Sequence, residues 1–232
     1  FVITFLIRKP IILSIWGYLG LIHHTNIFAR LFGFPFECLV SIFARLSDVV
    51  QCCNIEEYSR LSRINRRALC IPNGISVKFI ESRKRSKSFR KKLCLDDKKV
   101  VLFIGRLHKH KGPQILVESL KYVIKEDPRV IGIIVGPDQG LEEDLKRRIE
   151  RLDLQKHITI LGPTSKEEEL IQLYDVADLI AIPSICLENF CIVLSEAWAR
   201  RKWVVASRIE ALKYRIRNGV NGYLVTPGDP LD

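Results

Sequence analysis

DLIAIPSICLENFCIVLSEAWA, residues 178–199, is the stretch on which the fold turns. Its first seven residues are almost continuously apolar, the pattern of a short strand covered on both faces. A brief loop follows, and a helix is predicted from near Asn189. Glu188 then stands at the mouth of that helix and Glu196 about two turns into it. At ~100° per residue, eight residues come close to a whole number of turns, so both carboxylates can face one cleft. A cleft beyond the carboxyl end of a parallel strand is where open α/β sheets bind ligands. The spacing alone is weak; its place after a buried strand makes it informative.

The same strand pattern recurs outward from this stretch, in VVLFIG (100–105), VIGIIVG (130–136), HITILG (157–162), WVVAS (203–207) and GYLVTP (222–227). Helical patterns separate the first four of these strands at about 113–125, 141–152 and 166–177. Alternating strands and helices imply a parallel sheet in a doubly wound α/β fold.

GRLHKHKGPQ (105–114) leaves the first of these strands. Gly105 permits a tight exit. Arg106 and Lys111 are cations on a loop leading to a helix start, whose free N–H groups and partial positive charge suit phosphate. Arginine grips two oxygens at once and lysine acts as a point charge, so the loop can clamp a diphosphate. Alone it reads more readily as a solvated basic loop; Glu188 and Glu196 tip the balance towards the clamp.

IPNGISVKF (71–79), FIGRLHKHKG (103–112), ENFCIVLSE (188–196) and NGYLVTPGD (221–229) come in the order seen in family 4 retaining glycosyltransferases of the GT-B fold. The chain resembles that family over residues 45–232. The resemblance implies two Rossmann-like domains, with a nucleotide sugar held mainly by the second. By it, Arg106 and Lys111 bind the donor diphosphate, Glu196 the ribose hydroxyls, and Glu188 the donor sugar. Backbone N–H groups of Phe190, Cys191 and Ile192 face the phosphates or sugar. Gly162 and Pro163 lie near the base, and Gly105 and Asn189 complete the donor set. Glu188, Arg106 and Lys111 are the expected catalytic residues.

Elementary chemistry fits those roles. An ionised carboxylate can accept from two ribose hydroxyls. Fixed cations stabilise a departing diphosphate without reorganising. No D-x-D pattern is present to hold a divalent metal. Arg106 and Lys111 are therefore expected to replace it, with no metal and no cofactor beyond the donor. The implied reaction moves a hexose from a nucleotide diphosphate sugar to a glycan, lipid-linked or small-molecule acceptor.

Several positions depart from the family pattern. Cys191 stands where glycine is usual, and a Cβ there crowds backbone that approaches the donor. Glu210, Ala211 and Tyr214 replace a usual Gly-Gly and glutamate; Arg201-Lys202-Trp203 replaces Gly-x-Pro; Trp16 holds a position often filled by histidine. These departures raise an alternative, a noncatalytic nucleotide-sugar-binding or partner-binding remnant.

The expected organisation is a partial acceptor-side domain over 1–75, a basic linker over 76–96 and a donor domain over 97–232. Two full Rossmann-like domains need more than 232 residues. The Phe1 start and the absence of Met suggest a fragment, with the acceptor-side loop and the final helices missing.

Net charge is +11, and RKRSKSFRKK (83–92) holds seven cations in ten residues. A solvated linker, attraction to anionic lipid at about 1 kcal/mol per cation, and nucleic-acid binding all fit that run. No zinc finger, RNP-like motif or aromatic platform supports the last. The apolar stretches 1–7 and 10–22 are interrupted and each falls short of the ~20 residues that a span needs. Seven cysteines, an odd number without a secretory signal, point to reduced thiols in a cytosol. The expected location is cytoplasmic, with the inner membrane face as a docking surface on the lipid reading. Cys186 and Cys191 flank Glu188 and read as thiol-sensitive site residues or as buried small side chains. His108 and His110 read as auxiliary phosphate ligands or as solvated loop residues, and His23-His24 have no assigned place.

Overall fold

The computed structural model describes residues 10–15, 38–81, 86–164, 166–186 and 188–232. These fall into two compact units, Phe1–Gly74 and Ile75–Asp232. The apolar start, Trp16, His23, His24 and residues 83–85 lie outside the described residues.

The first unit is a three-stranded parallel sheet, β1 (Ile12–Ile15), β2 (Val49–Cys52) and β3 (Ala68–Cys70), in that spatial order. Helix α1 (Ile55–Leu61) joins β2 to β3 and is capped by Asn54, whose side chain accepts from Glu57 N–H at 2.8 Å. Ala44, Val50, Cys52, Leu61 and Ala68 form its small core. Buried Asn65 closes it by donating to Ala44 O at 2.8 Å and Ser47 O at 2.7 Å.

The second unit opens with two short helices, α2 (Lys78–Glu81) and α3 (Ser86–Lys92). Here the structure departs from the expected linker over 76–96. Phe79, Leu95, Phe89 and Leu93 pack into the core of this unit, and Phe79 meets Tyr174 edge to face at 5.7 Å. Charge density dominates the sequence pattern, but the apolar residues between the cations decide the packing.

The sheet follows: β4 (Lys99–Ile104), helix α4 (Pro113–Glu126), β5 (Val130–Val135), α5 (Glu142–Arg151), β6 (Ile158–Leu161), α6 (Glu167–Val176), β7 (Leu179–Ile182), α7 (Ile192–Ala199), β8 (Trp203–Ser207), α8 (Glu210–Arg215) and β9 (Tyr223–Val225). All six strands are parallel, in the order β6-β5-β4-β7-β8-β9. Alternate strand residues enter different cores. Leu102 and Ile133 join α6 and α7 on one face; Phe103 and Ile134 join α4 and α5 on the other. This two-sided burial explains the continuous apolar runs. Over β7 to β9, Leu179, Ala181, Val205 and Val225 line an apolar groove of about 340 Å³ between α4 and the segment Gly228–Asp232.

The helices start where their chemistry says they should. Pro113 opens α4, where its missing N–H costs nothing. Asp138 Oδ1 accepts from the N–H groups of Gly140, Leu141 and Glu142 at 2.9, 2.9 and 3.0 Å and so caps α5. Glutamates crowd the first turn of α6. The chain winds outward from β4 to β6, then returns to lay β7 on the other side of β4. Between β4 and β7 the connections therefore diverge, which opens a crevice at their carboxyl ends.

Candidate active site

The loop 105–112 leaves β4 and is sewn to the loop after β5. Leu107 N–H donates to Pro137 O at 2.9 Å and Gln139 N–H to Leu107 O at 3.1 Å. A Cβ on Gly136 would lie 1.8 Å from Gly105 O. The loop ends in a 3₁₀ turn, Lys109–Lys111, followed by Gly112 at φ +74°. A Cβ on Gly112 would lie 1.9 Å from Pro183 O, just beyond β7. Ile185 N–H donates to His110 O at 2.9 Å. The glycine lets the two loops lie backbone to backbone, and that contact brings Lys111 to Glu188.

Lys111 Nζ meets Glu188 Oε1 at 2.5 Å, and Ser184 Oγ donates to the same oxygen at 2.7 Å. The side chains of Lys111 and Glu188 are 27% and 8% exposed. Away from water their attraction is stronger than at a surface, and the hydroxyl helps to satisfy the carboxylate. Arg106 is exposed beside them in sequence, and its Nη1 donates to Gln139 Oε1 at 3.3 Å. That bond uses one of its five N–H groups. His108 Nδ1 accepts from His110 N–H at 3.3 Å, so His108 serves the geometry of the turn.

The helix carrying Glu196 starts at Ile192 rather than near Asn189. Cys191 lies in the left-handed region, at φ 58° and ψ 81°, and a right-handed helix cannot run through it. Residues 188–191 are loop, so the eight-residue spacing does not put the two carboxylates on one helix face. Glu188 is held by Lys111 and Ser184, while Glu196 rides in α7. Glu196 Oε2 accepts from Tyr174 O–H at 2.7 Å. Burial raises the Glu196 carboxyl above the usual glutamate range, against the pull of that bond. Burial, and then the charge of Glu196, push the Tyr174 hydroxyl far above the usual range.

The N-cap side chain, Cys191, makes no capping hydrogen bond at the start of α7. Its first N–H groups and positive dipole end suit an anion. Burial, and then the charge of Glu188, push the Cys191 thiol up to about 12. A thiol held in that form is a poor nucleophile, so Cys191 fits the buried-side-chain reading. Gly162 and Pro163 stand exposed after β6, two strands to the side of the crevice. Asn189 is half-buried beside Glu188 in the loop. Among the described residues, no three His, Cys, Asp or Glu side chains stand together as a metal site.

The sequence reading missed four residues around these: Ser184, Gln139, Tyr174 and Arg215. Ser184 carried a faint signal, as a polar residue closing an apolar strand. Arg215 carried none. It reaches back from α8 to the loop before α7, through contacts 24 and 25 residues apart in the chain.

Known proteins resemble this chain in sequence and fold. The sequence profile of the family described as Glycosyl transferases group 1 matches residues 84–232. A D-inositol 3-phosphate glycosyltransferase of Corynebacterium efficiens is 36% identical over 57% of this chain and 32% of its own length. One from Geodermatophilus obscurus is 32% identical over 72% of this chain and 38% of its own length. The chain thus spans about a third of those relatives. Among solved structures, Anabaena HepE in complex with UDP and glucose matches 98% of this chain and 61% of its own, with a TM-score of 0.82 and 25% identity.

Proposed function

The chain belongs to the group 1 glycosyl transferases, and on that premise we propose that it works in the transfer of a hexose from a nucleoside diphosphate sugar to a glycan, lipid-linked or small-molecule acceptor. The observation that carries the reading is the meeting of Lys111 and Glu188 at 2.5 Å, across the crevice between β4 and β7. Two loops from different strands converge there to hold a cation against a buried carboxylate. Arg106 and the start of α7 add positive charge for a diphosphate. Without donor, Glu188 supplies the anion that Lys111 needs. A donor would offer its diphosphate to Lys111 and its sugar hydroxyls to Glu188, so the pair would be exchanged for ligand contacts as the donor seats. Negative charge growing on the departing diphosphate would then meet fixed cations. Glu196, oriented by Tyr174, keeps a carboxylate oxygen for the ribose.

In the same reading the transfer retains anomeric configuration, and Arg106 and Lys111 take the place of a metal. Uridine is the first base to try, because the HepE structure holds UDP and glucose. Isothermal titration of the chain with UDP, GDP and ADP in EDTA tests the site. Saturable binding of one nucleotide, weakened by Lys111→Ala, is expected; binding of none removes the donor-site reading in favour of a noncatalytic, partner-binding remnant. NMR of the product anomer tests retention.

Among the described residues no helix is long and apolar enough to cross a membrane. Exposed Lys91 and Lys92 support a peripheral, cytoplasmic-face attraction to anionic lipid. Arg90 contributes little to it, since it is turned inward to Val176 O and Leu95 O. Sedimentation with phosphatidylglycerol vesicles, weakening with salt and absent with phosphatidylcholine, is the expected result. Equal binding to both would refute it.

A further inference from the structure

Arg215, at the end of α8, places its guanidinium carbon over the Phe190 ring, 4.2 Å from its centroid, and 5.3 Å from the centroid of the Trp198 ring. Its Nη1 donates to Phe190 O and, at 3.4 Å, to Cys191 O; its Nη2 donates to Ser195 Oγ at 2.6 Å. One guanidinium thus spans the turn into α7 and the first turn of the helix. The residue at the centre of this grip is Cys191, a non-glycine held at φ 58°. A side chain with a Cβ avoids that backbone unless its surroundings over-determine it. Arg215 is such a surrounding: it fixes both peptide planes that flank the residue's entry into α7.

In a trans peptide the C=O and the following N–H point in opposite directions. Holding Phe190 O therefore aims the N–H of Cys191 away from Arg215. Holding Cys191 O does the same for the N–H of Ile192, the first residue of α7. We propose that Arg215 is a positioning residue for the donor loop, which pins Cys191 in its left-handed conformation and so aims the Cys191 and Ile192 N–H groups at the donor diphosphate. Its pinning of the loop stands on the geometry; the identity of the anion rests on the donor reading above.

Arg215→Met keeps the apolar stem and removes the donors. In the full chain it is expected to weaken UDP binding about 10-fold, and to speed amide exchange at 190–194 while leaving β8 unchanged. Cys191→Gly supplies a residue that adopts the left-handed region without help. Added to Arg215→Met, it should restore most of the lost affinity. Arg215→Lys, with one ammonium for a fork, should fall between. UDP affinity and exchange both unaltered by Arg215→Met would overturn the proposal, as would equal losses with and without Cys191→Gly. If the parent chain binds none of UDP, GDP and ADP, the donor reading fails, and exchange at 190–194 judges the pinning alone: no acceleration in Arg215→Met or Arg215→Lys overturns it; if it binds GDP or ADP instead, that nucleotide replaces UDP in the affinity measurements.

Discussion

Gly112 shows how much a single missing side chain decides. It needs the left-handed region, and its would-be Cβ falls 1.9 Å from Pro183 O, a backbone atom that cannot swing aside. Gly140 has a similar φ of +85° but open space around it. The pair separates conformational strain from collision. Gly140→Ala should cost about 1 kcal/mol, the strain alone. Gly112→Ala should cost about 3 kcal/mol or more, because the two loops must also part. Urea denaturation of both variants measures the difference, and equal costs would show that the loops yield without effort. Parting them also separates Lys111 from Glu188, so Gly112→Ala should lose UDP binding even where it stays folded. At this scale the sequence named Gly105, Arg106, Lys111, Glu188 and Glu196 from type and spacing. It could not name Tyr174 or Arg215, because those act through contacts that only the folded chain creates, and it marked Ser184 only faintly.

Strand existence was the most legible property of the elements. All six strands of the second unit were readable as apolar runs; β4 and β5, covered on both faces, have no polar alternation to obscure them. Helix limits were less so. The start of α7 moved from 189 to 192 because φ at Cys191 is invisible in a residue name. Helix α3 hid inside the basic run and α2 just before it, in a stretch that also reads as a linker. Arg90 is the clearest case. Within RKRSKSFRKK it looks like one more solvated cation, yet it donates to Val176 O at 2.6 Å, to Leu95 O at 2.9 Å and to Lys98 O. It closes the end of α6 and ties α3 to the approach of β4. Arg90→Met keeps the stem but strands those carbonyls. A loss of about 2–3 kcal/mol is expected by urea denaturation, from charge-assisted bonds that are partly shielded from water. Lys91→Met, exposed next door, should move stability by less than about 0.5 kcal/mol. Equal effects of the two would return Arg90 to the solvated run.

The two units differ in the cores that their described residues form. The described core of the first holds five buried apolar residues, among them Cys52, while the second has clusters of twenty-one and fourteen. Stability grows with apolar area removed from water, so the smaller core should open first. The first unit also contains a pH liability. Glu57 is buried, and desolvation raises its pKa from 4.5 to about 7. The native unit therefore holds a proton that the unfolded chain releases above pH 4.5, so its stability falls as pH rises between 4.5 and about 7. Thiol labelling with mass spectrometry can follow both units in one sample. Cys52 and Cys53 are buried in the first unit, and Cys191 packs against the core of the second. At pH 7.5, Cys52 and Cys53 should become reactive at a lower urea concentration than Cys191. At pH 5 the gap should narrow, because Glu57 regains its proton. Glu57→Gln keeps a neutral side chain at every pH and should make the Cys52 midpoint insensitive to this change. Coincident labelling of all three cysteines at both pH values would mean that the units unfold as one, and a Cys52 midpoint that still moves in Glu57→Gln would place the titrating group elsewhere.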